Sequence, residues 1–224
     1  MSALAVGTVT TITGCGAIAA PIGDALYRDG EQRYVSSATT MHSVIMAIHE
    51  GDWIVDQGSY GASPIPCRID GALSGYAFSW ARVLEPEVLD VEGAVAAATA
   101  AFEDAGMTAQ TATYGEGDRQ EVNVIGEGGD VGRGVVTIRP AGHSIRASAA
   151  TACFPGDASA LSDMVFGGEV YEGASLRLPA VEGVDWQPRF YFPEDTSPVY
   201  FTEDGTPIDP PPSVTELPVA PYAD

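Results

Sequence analysis

A change of hydrophobic period near the middle of the chain constrains the fold most. Between residues 108 and 153 apolar and polar residues alternate, as in Ile145, Ala147 and Ala149 with serine and arginine between them. A period of two is typical of half-buried strands, and short turns join such strands antiparallel. We therefore predict a four-stranded antiparallel meander. Its strands cover residues 108–114, 119–125, 135–139 and 143–153.

Two helical segments precede the meander. Residues 31–50 carry apolar side chains at spacings of three and four, and Gly51 is a plausible stop. A second helix begins after Asp90, a residue type favoured at the N-cap, and ends at Gly106. Between the helices, residues 75–84 alternate like a strand. The pattern predicts an α+β fold, in which an amino-terminal helix is followed by a two-layer domain of antiparallel β-sheet packed on one helix.

The carboxy-terminal part differs from the rest of the chain in composition and in its hydrophobic pattern. Short β-like pieces, 165–171 and 175–178, are separated by glycines, and prolines and acids crowd the end of the chain. Proline removes a backbone donor and favours extended conformations. We therefore expect the α+β domain to span residues 31–192, with an extended, Pro-rich acidic tail at 193–224.

The charged residues limit the kinds of partner that the protein can bind and indicate the kind of organism it comes from. The chain has 31 acidic residues against ten basic ones, all of them arginine, for a net charge of −21. Such a surface repels phosphate backbones, so nucleic acid is excluded as a partner. The absence of lysine favours a GC-rich genome, with an actinobacterium preferred as the source over a halophile.

The amino terminus carries a candidate lipid anchor. Residues 3–14 are uncharged. The last three of them, followed by the cysteine, form Ile12-Thr13-Gly14-Cys15, which has the aliphatic, small, small, cysteine order of a lipobox. Its small side chains admit the signal peptidase, and the cysteine thiol takes the lipid. We predict a signal-peptide remnant at 1–14 and a lipid-bearing spacer at 15–30, with the membrane as a partner through Cys15.

One feature keeps a second interpretation of this segment open. The basic region expected of a signal peptide is missing, since no arginine occurs before Arg28. We expect the true start to lie upstream; the alternative is a buried amino-terminal strand or helix of a cytosolic protein. The segment itself is shorter than the about 20 apolar residues that span a bilayer.

The other two cysteines form a candidate disulfide. With Cys15 assigned to lipid, Cys67 and Cys153 are an even remainder, which suggests a bridge in an exported chain. In the chain-entropy model the closed loop would stabilise the fold by about 4–5 kcal/mol. The alternative is two buried free thiols. No second cysteine lies at a zinc-ligand spacing.

Three sequence features could indicate a metal or cofactor site, but each is better explained as a structural feature. His42 and His49 lie seven apart, whereas a zinc-binding helix pair lies four apart, so we expect partly packed side chains. The glycine-rich stretch 126–134 lacks the spacing of a dinucleotide loop and predicts a hairpin turn. The acids of residues 203–209 do not fit a calcium loop. We predict no metal and no cofactor.

Candidate catalytic groups are equally sparse. Glu85 and Glu87 could serve glycoside hydrolysis, but 31 acids form such pairs by chance. Cys67 with His143 could form a nucleophile and base, although no local signature accompanies them. We therefore predict no catalytic residue.

Taken together, the lipobox at Cys15, the helix ending at residues 49–53, Cys67 at the start of the sheet and the segment ending at Cys153 resemble the uncharacterised, mycobacterial-type cell-envelope lipoproteins of actinobacteria. The resemblance covers residues 15–153, and only its lipobox is specific. It implies a position on the extracytoplasmic face of the cell membrane and no defined activity.

Two classes of function follow from the sequence. The first is a non-enzymatic surface module that binds an envelope protein, a glycan or a small ligand. The second is an envelope hydrolase with dispersed catalytic carboxylates. A pocket that holds two carboxylates with divergent pKa values would favour the hydrolase, and an apolar groove would favour ligand binding.

Overall fold

The structure, a computed structural model, describes residues 20–55, 62–166, 181–188 and 190 of the chain. Its helices are α1 (Asp24–Ile48), α2 (Val91–Asp104) and α3 (Ala158–Phe166). Its strands are β1 (Trp53–Val55), β2 (Ile65–Ile69), β3 (Ala72–Ala77), β4 (Ser79–Leu84), β5 (Thr108–Tyr114), β6 (Glu121–Gly128), β7 (Gly132–Arg139), β8 (Ser144–Ala150), β9 (Phe154–Pro155) and β10 (Val181–Glu182).

The strands form two antiparallel sheets. The seven-stranded sheet has the order β10-β1-β4-β8-β7-β6-β5, and the three-stranded sheet has the order β2-β3-β9. Strands β5 to β8 are the predicted meander, each paired with its sequence neighbour. The predicted α+β class is confirmed. The proposed tail lies outside the described residues.

Helix α1 begins earlier than the sequence pattern indicates. Its first turns, assigned from sequence to a spacer ending at residue 30, bury Leu26, Tyr27 and Gly30. Gly30 permits close packing, since a Cβ atom there would lie 2.9 Å from a methyl group of Leu161 in α3. The packed region therefore includes residues 24–30, and the predicted boundary is corrected accordingly.

Helix α2 has the predicted ends and lies on the seven-stranded sheet. The Asp90 carboxylate accepts a hydrogen bond from the Gly93 amide at 2.9 Å, which caps the first turn. Gly106 ends the helix with a φ of +75°, a conformation that glycine adopts without steric cost. Helix α2 contacts β5, β6 and β7, and it covers one half of the sheet.

Phe102 of α2 sits in a depression that two glycines leave in the sheet. Gly126 and Gly134 are paired across β6 and β7. A Cβ atom at Gly126 would lie 2.5 Å from the Phe102 ring, and one at Gly134 would lie 2.7 Å from it. Phe102 is completely buried, so the missing side chains let α2 approach the strands closely.

The structure corrects two sequence-based assignments. Residues 75–84, predicted as one strand, are divided at Phe78 between β3 and β4, which belong to different sheets. Residues 165 and 166, predicted to begin a β-like piece, end helix α3 instead. Leu161 and Val165 are buried four residues apart, a helical spacing that was hidden in a stretch rich in small residues.

The two sheets meet where the segment around Phe78 runs alongside the segment around Thr151. Thr151 donates its amide to the Phe78 carbonyl at 3.0 Å, and its hydroxyl accepts the Phe78 amide at 2.9 Å. Between the pairs Tyr76–Phe154 and Ser79–Ala150, two residues on one segment face three on the other. This unequal count is a bulge-type irregularity, which bends the strands apart.

Candidate functional site

The predicted lipid-attachment residue, Cys15, lies outside the described residues. The other two cysteines are bonded to each other, as the sequence predicts, with their Cα atoms 5.9 Å apart. Cys67 in β2 is paired with Gly75 in the central strand β3. A Cβ atom at Gly75 would lie 2.5 Å from Cys153 Sγ, so glycine makes room for the bridge.

The fourth strand of the meander is shorter than the sequence predicts. The expected strand runs to Cys153, next to the bond with Cys67. That strand, β8, ends at Ala150, because Thr151 turns the chain by bonding Phe78 in both directions. Cys153 therefore lies beyond the large sheet, next to β9, and the bridge belongs to the small sheet.

The disulfide also settles one catalytic alternative. A bonded sulfur is no thiolate nucleophile, so the pairing of Cys67 with His143 as nucleophile and base is excluded in this oxidised form. His143 is exposed in the turn between β7 and β8, with a φ of +44°. Glu85 and Glu87 are both exposed between β4 and α2.

The two histidines of α1 serve different contacts. His42 Nδ1 lies 2.7 Å from Glu182 Oε1. His49 follows the last helical residue, and its carbonyl accepts the Trp53 indole N–H at 3.1 Å. Among the described residues, no group of three or more histidine, cysteine, aspartate or glutamate side chains could hold a metal ion.

A buried ion cluster joins α1 to one end of the large sheet. It consists of His42, Arg82 in β4 and Glu182 in β10. Arg82 Nε donates to Glu182 Oε2 at 2.5 Å, and these two side chains are 2% and 0% exposed. Both carboxylate oxygens are thus engaged, one by arginine and one by histidine.

Two tryptophans shield this ion cluster from water. The Arg82 guanidinium carbon lies 4.5 Å from the Trp80 ring centre and 5.6 Å from that of Trp186. Trp186 also stacks on His42, with ring centres 5.4 Å apart. Arginine gains from such stacking because its delocalised charge is weakly hydrated. The cluster holds the short strand β10 against the sheet.

Tyr34 brings a further polar group to this part of the core. It is buried, and its hydroxyl has no hydrogen-bond partner within the part of the chain that the structure describes. Burial raises the pKa of Tyr34 well above its usual range; the charge of Arg82 opposes this shift and that of Glu182 adds to it. Tyr34 therefore remains a neutral phenol at physiological pH.

The ion cluster could not be predicted from the sequence, because its members are far apart in the chain. Arg82 alternates with Trp80 and Leu84 along β4, so the three side chains share one face of the strand, and all three are buried. Its partner Glu182 lies 100 residues later, in a strand of two residues. No local pattern identifies which of 31 acids that partner is.

The glycine-rich loop is a hairpin turn, as predicted. It connects β6 to β7, and the last pair before the turn is Gly128 with Gly132. Asp130 at its tip accepts a hydrogen bond from the Ser36 hydroxyl of α1 at 2.6 Å. The loop thus contacts the helix layer through its carboxylate.

A shallow groove runs between α1 and α2. Its volume is about 460 Å³, which falls within the range of small-molecule sites. Small side chains line it on both helices, with one carboxylate at an end. The lining residues are Thr39, Thr40, Ser43, Ala47, Ala97, Ala100, Ala101, Asp104 and Ala105.

No family model matches this chain, and no curated protein or solved structure matches it. Within the described ranges, none of the helices combines the length and the apolar character needed to cross a membrane.

Proposed function

We propose that the chain is an exported bacterial lipoprotein, held on the extracytoplasmic face of the cell membrane by lipid on Cys15. We further propose that its folded domain is a non-enzymatic binding module of the cell envelope. The observation that carries the proposal is the bond between Cys67 and Cys153. Disulfides persist in oxidising compartments and are rare in the reducing cytosol.

The placement of this disulfide strengthens the argument for export. It lies within the small sheet, whose strand β2 has no buried residue. A region with so little buried apolar surface gains most from a covalent link. Such a link would be lost in a reducing compartment, so the fold suits an oxidising one.

The groove between α1 and α2 supports the binding role. Its lining is mostly methyl groups with three hydroxyls, from Thr39, Thr40 and Ser43. Apolar walls with a few polar groups are the composition that small-ligand sites share. An envelope ligand of low charge suits this surface, since the net charge of −21 disfavours anions.

The anchor is tested by phase partition. Full-length protein is expressed in an actinobacterial host behind a basic segment that restores the signal peptide, and cells are extracted with Triton X-114. We expect the parent protein in the detergent phase and the Cys15→Ala variant in the aqueous phase. Val88→Ala, at an exposed position, is the matched control and should partition like the parent. Aqueous partition of the parent would contradict the proposal.

The oxidation state provides an independent check. Cells are quenched with acid and their thiols alkylated before lysis. We expect Cys67 and Cys153 to resist alkylation until a reductant is added. Alkylation of both in freshly quenched cells would contradict export.

A further inference from the structure

Strand β5 ends the seven-stranded sheet, and one of its edges is unpaired in the part of the chain that the structure describes. It pairs with β6 along all seven of its residues without a register shift, and no strand of the described chain lies on its other side. Its sequence, Thr-Ala-Gln-Thr-Ala-Thr-Tyr, contains no charge, proline or glycine. Five of the seven residues are exposed.

The other three edges of the two sheets are each protected. Strand β10 is two residues long and carries the inward-pointing charge of Glu182. Strand β2 contains Pro66 and a register shift after Cys67. Strand β9 is two residues long and includes Pro155. Short length, proline, bulges and inward charge are the devices by which proteins prevent unwanted strand pairing.

An unprotected edge of this length offers a row of free backbone donors and acceptors. We propose that β5 pairs antiparallel with β5 of a second copy of this chain, about a two-fold axis at Thr111, to form one continuous sheet. This interface is separate from the groove between α1 and α2, and it does not depend on the lipid anchor.

The sequence of β5 suits self-pairing. About the two-fold axis, Thr111 faces its own copy, Gln110 faces Ala112, and Tyr114 faces Thr108. Each of the last two pairs sets a longer side chain against a shorter one, and paired threonines are favourable across strands. Because the strand is uncharged, the paired strands set no like-charged side chains opposite each other. The net charge of −21 on each chain opposes association, so the strand contacts must exceed this repulsion.

The size of the contact sets the expected affinity. One ladder of seven residues buries less than the about 1,200 Å² typical of stable complexes. The dimer should therefore be weak and depend on concentration, with dissociation on the order of tens of micromolar or above.

Site-specific crosslinking tests the register. In full-length protein carrying Cys15→Ala, Thr111→Cys places two thiols opposite each other, with Cα atoms about 4.5–5.5 Å apart, within disulfide range. Thr113→Cys is the matched control, because its copies would lie roughly 14 Å apart along the strands. We expect mild oxidation to crosslink the Thr111→Cys protein at least tenfold faster. Equal rates, or faster crosslinking at position 113, would overturn the proposal.

Sedimentation of the protein without introduced cysteines gives a second readout. We expect a monomer–dimer equilibrium that shifts to monomer in Thr111→Lys, which opposes two ammonium groups on the axis, and that persists in Val88→Lys. Circular dichroism and melting temperature verify that each variant is folded. A protein that is monomeric up to about 1 mM, or a dimer that Thr111→Lys leaves intact, would refute pairing through β5.

Discussion

The seven-stranded and three-stranded sheets of this protein are stabilised in different ways. The large sheet buries residues along β4, β7 and β8 beneath two helices. The small sheet has mostly exposed residues in β2 and in the first half of β3, and a disulfide crosses its central strand. A covalent bond thus stabilises the sheet that buries less apolar surface.

The largest effect should come from the core of the large sheet. Phe102→Ala removes a completely buried ring from between two glycines, and neither glycine can fill the space. We expect the free energy of unfolding to fall by about 3–5 kcal/mol, measured by urea denaturation. Val88→Ala, at an 85% exposed position, should change it by less than about 0.5 kcal/mol. A Phe102→Ala loss below about 1 kcal/mol would mean that this contact is not part of the stabilising core.

The disulfide should have a smaller effect confined to one region. Replacing Cys67 and Cys153 together with serine should cost about 2–4 kcal/mol, measured by urea denaturation without reductant. This is less than the about 4–5 kcal/mol of the chain-entropy model, because residual structure in the unfolded chain reduces the effect of a crosslink. Hydrogen exchange should show faster exchange of β2 and β3 amides and little change in β7. Equal acceleration in β7 would show that the sheets unfold as one unit, which would break the comparison.

Two tyrosines should give the smallest effects, with opposite signs. Tyr76 in the small sheet donates its hydroxyl hydrogen to Asp29 Oδ2 at 2.5 Å, so Tyr76→Phe should lower the unfolding free energy by about 1 kcal/mol. The Tyr34 hydroxyl has no partner among the described residues, so Tyr34→Phe should leave that free energy unchanged or raise it by up to about 1 kcal/mol. Thermal melts at pH 7 distinguish the two outcomes.

The same tyrosines predict an alkaline limit to stability. Burial raises the pKa of both hydroxyls above the usual value, helped at Tyr76 by its hydrogen bond to Asp29. Above about pH 10 the unfolded chain releases these protons while the folded chain keeps them, so stability falls as pH rises. The double variant Tyr34→Phe, Tyr76→Phe should show a shallower fall than the exposed-site control Tyr114→Phe. Equal slopes would contradict this account.

Local sequence patterns predicted the elements that depend on local chemistry. The period of two gave the meander, and β5 has the predicted bounds. Asp90 and Gly106 marked both ends of α2, because capping requires particular side chains or a positive φ at a fixed position. The cysteine count predicted the disulfide partners, on the assumption that Cys15 is reserved for lipid.

Features that depend on distant residues could not be predicted in this way. The division of residues 75–84 at Phe78 depends on hydrogen bonds to Thr151, which is 73 residues away. The ion cluster needs Glu182, whose strand is too short to show a period. The start of α1 was missed because Gly30 suggests a break, whereas its lack of a side chain is what Leu161 requires.

The bend at Phe78 and Thr151, where the two sheets meet, is a corner that limits how the sequence can vary. At this corner two residues of one segment face three of the other. Because side chains alternate between the two faces of a strand, the extra residue moves every following side chain to the opposite face. Because of this change of face, residues 153–155 leave the large sheet and join the small one. The bend thus depends on the number of residues as well as on the Thr151 hydroxyl, which accepts the Phe78 amide. Substitutions at Ala152 should leave the corner intact, whereas a single deletion there would turn Cys153 away from Cys67.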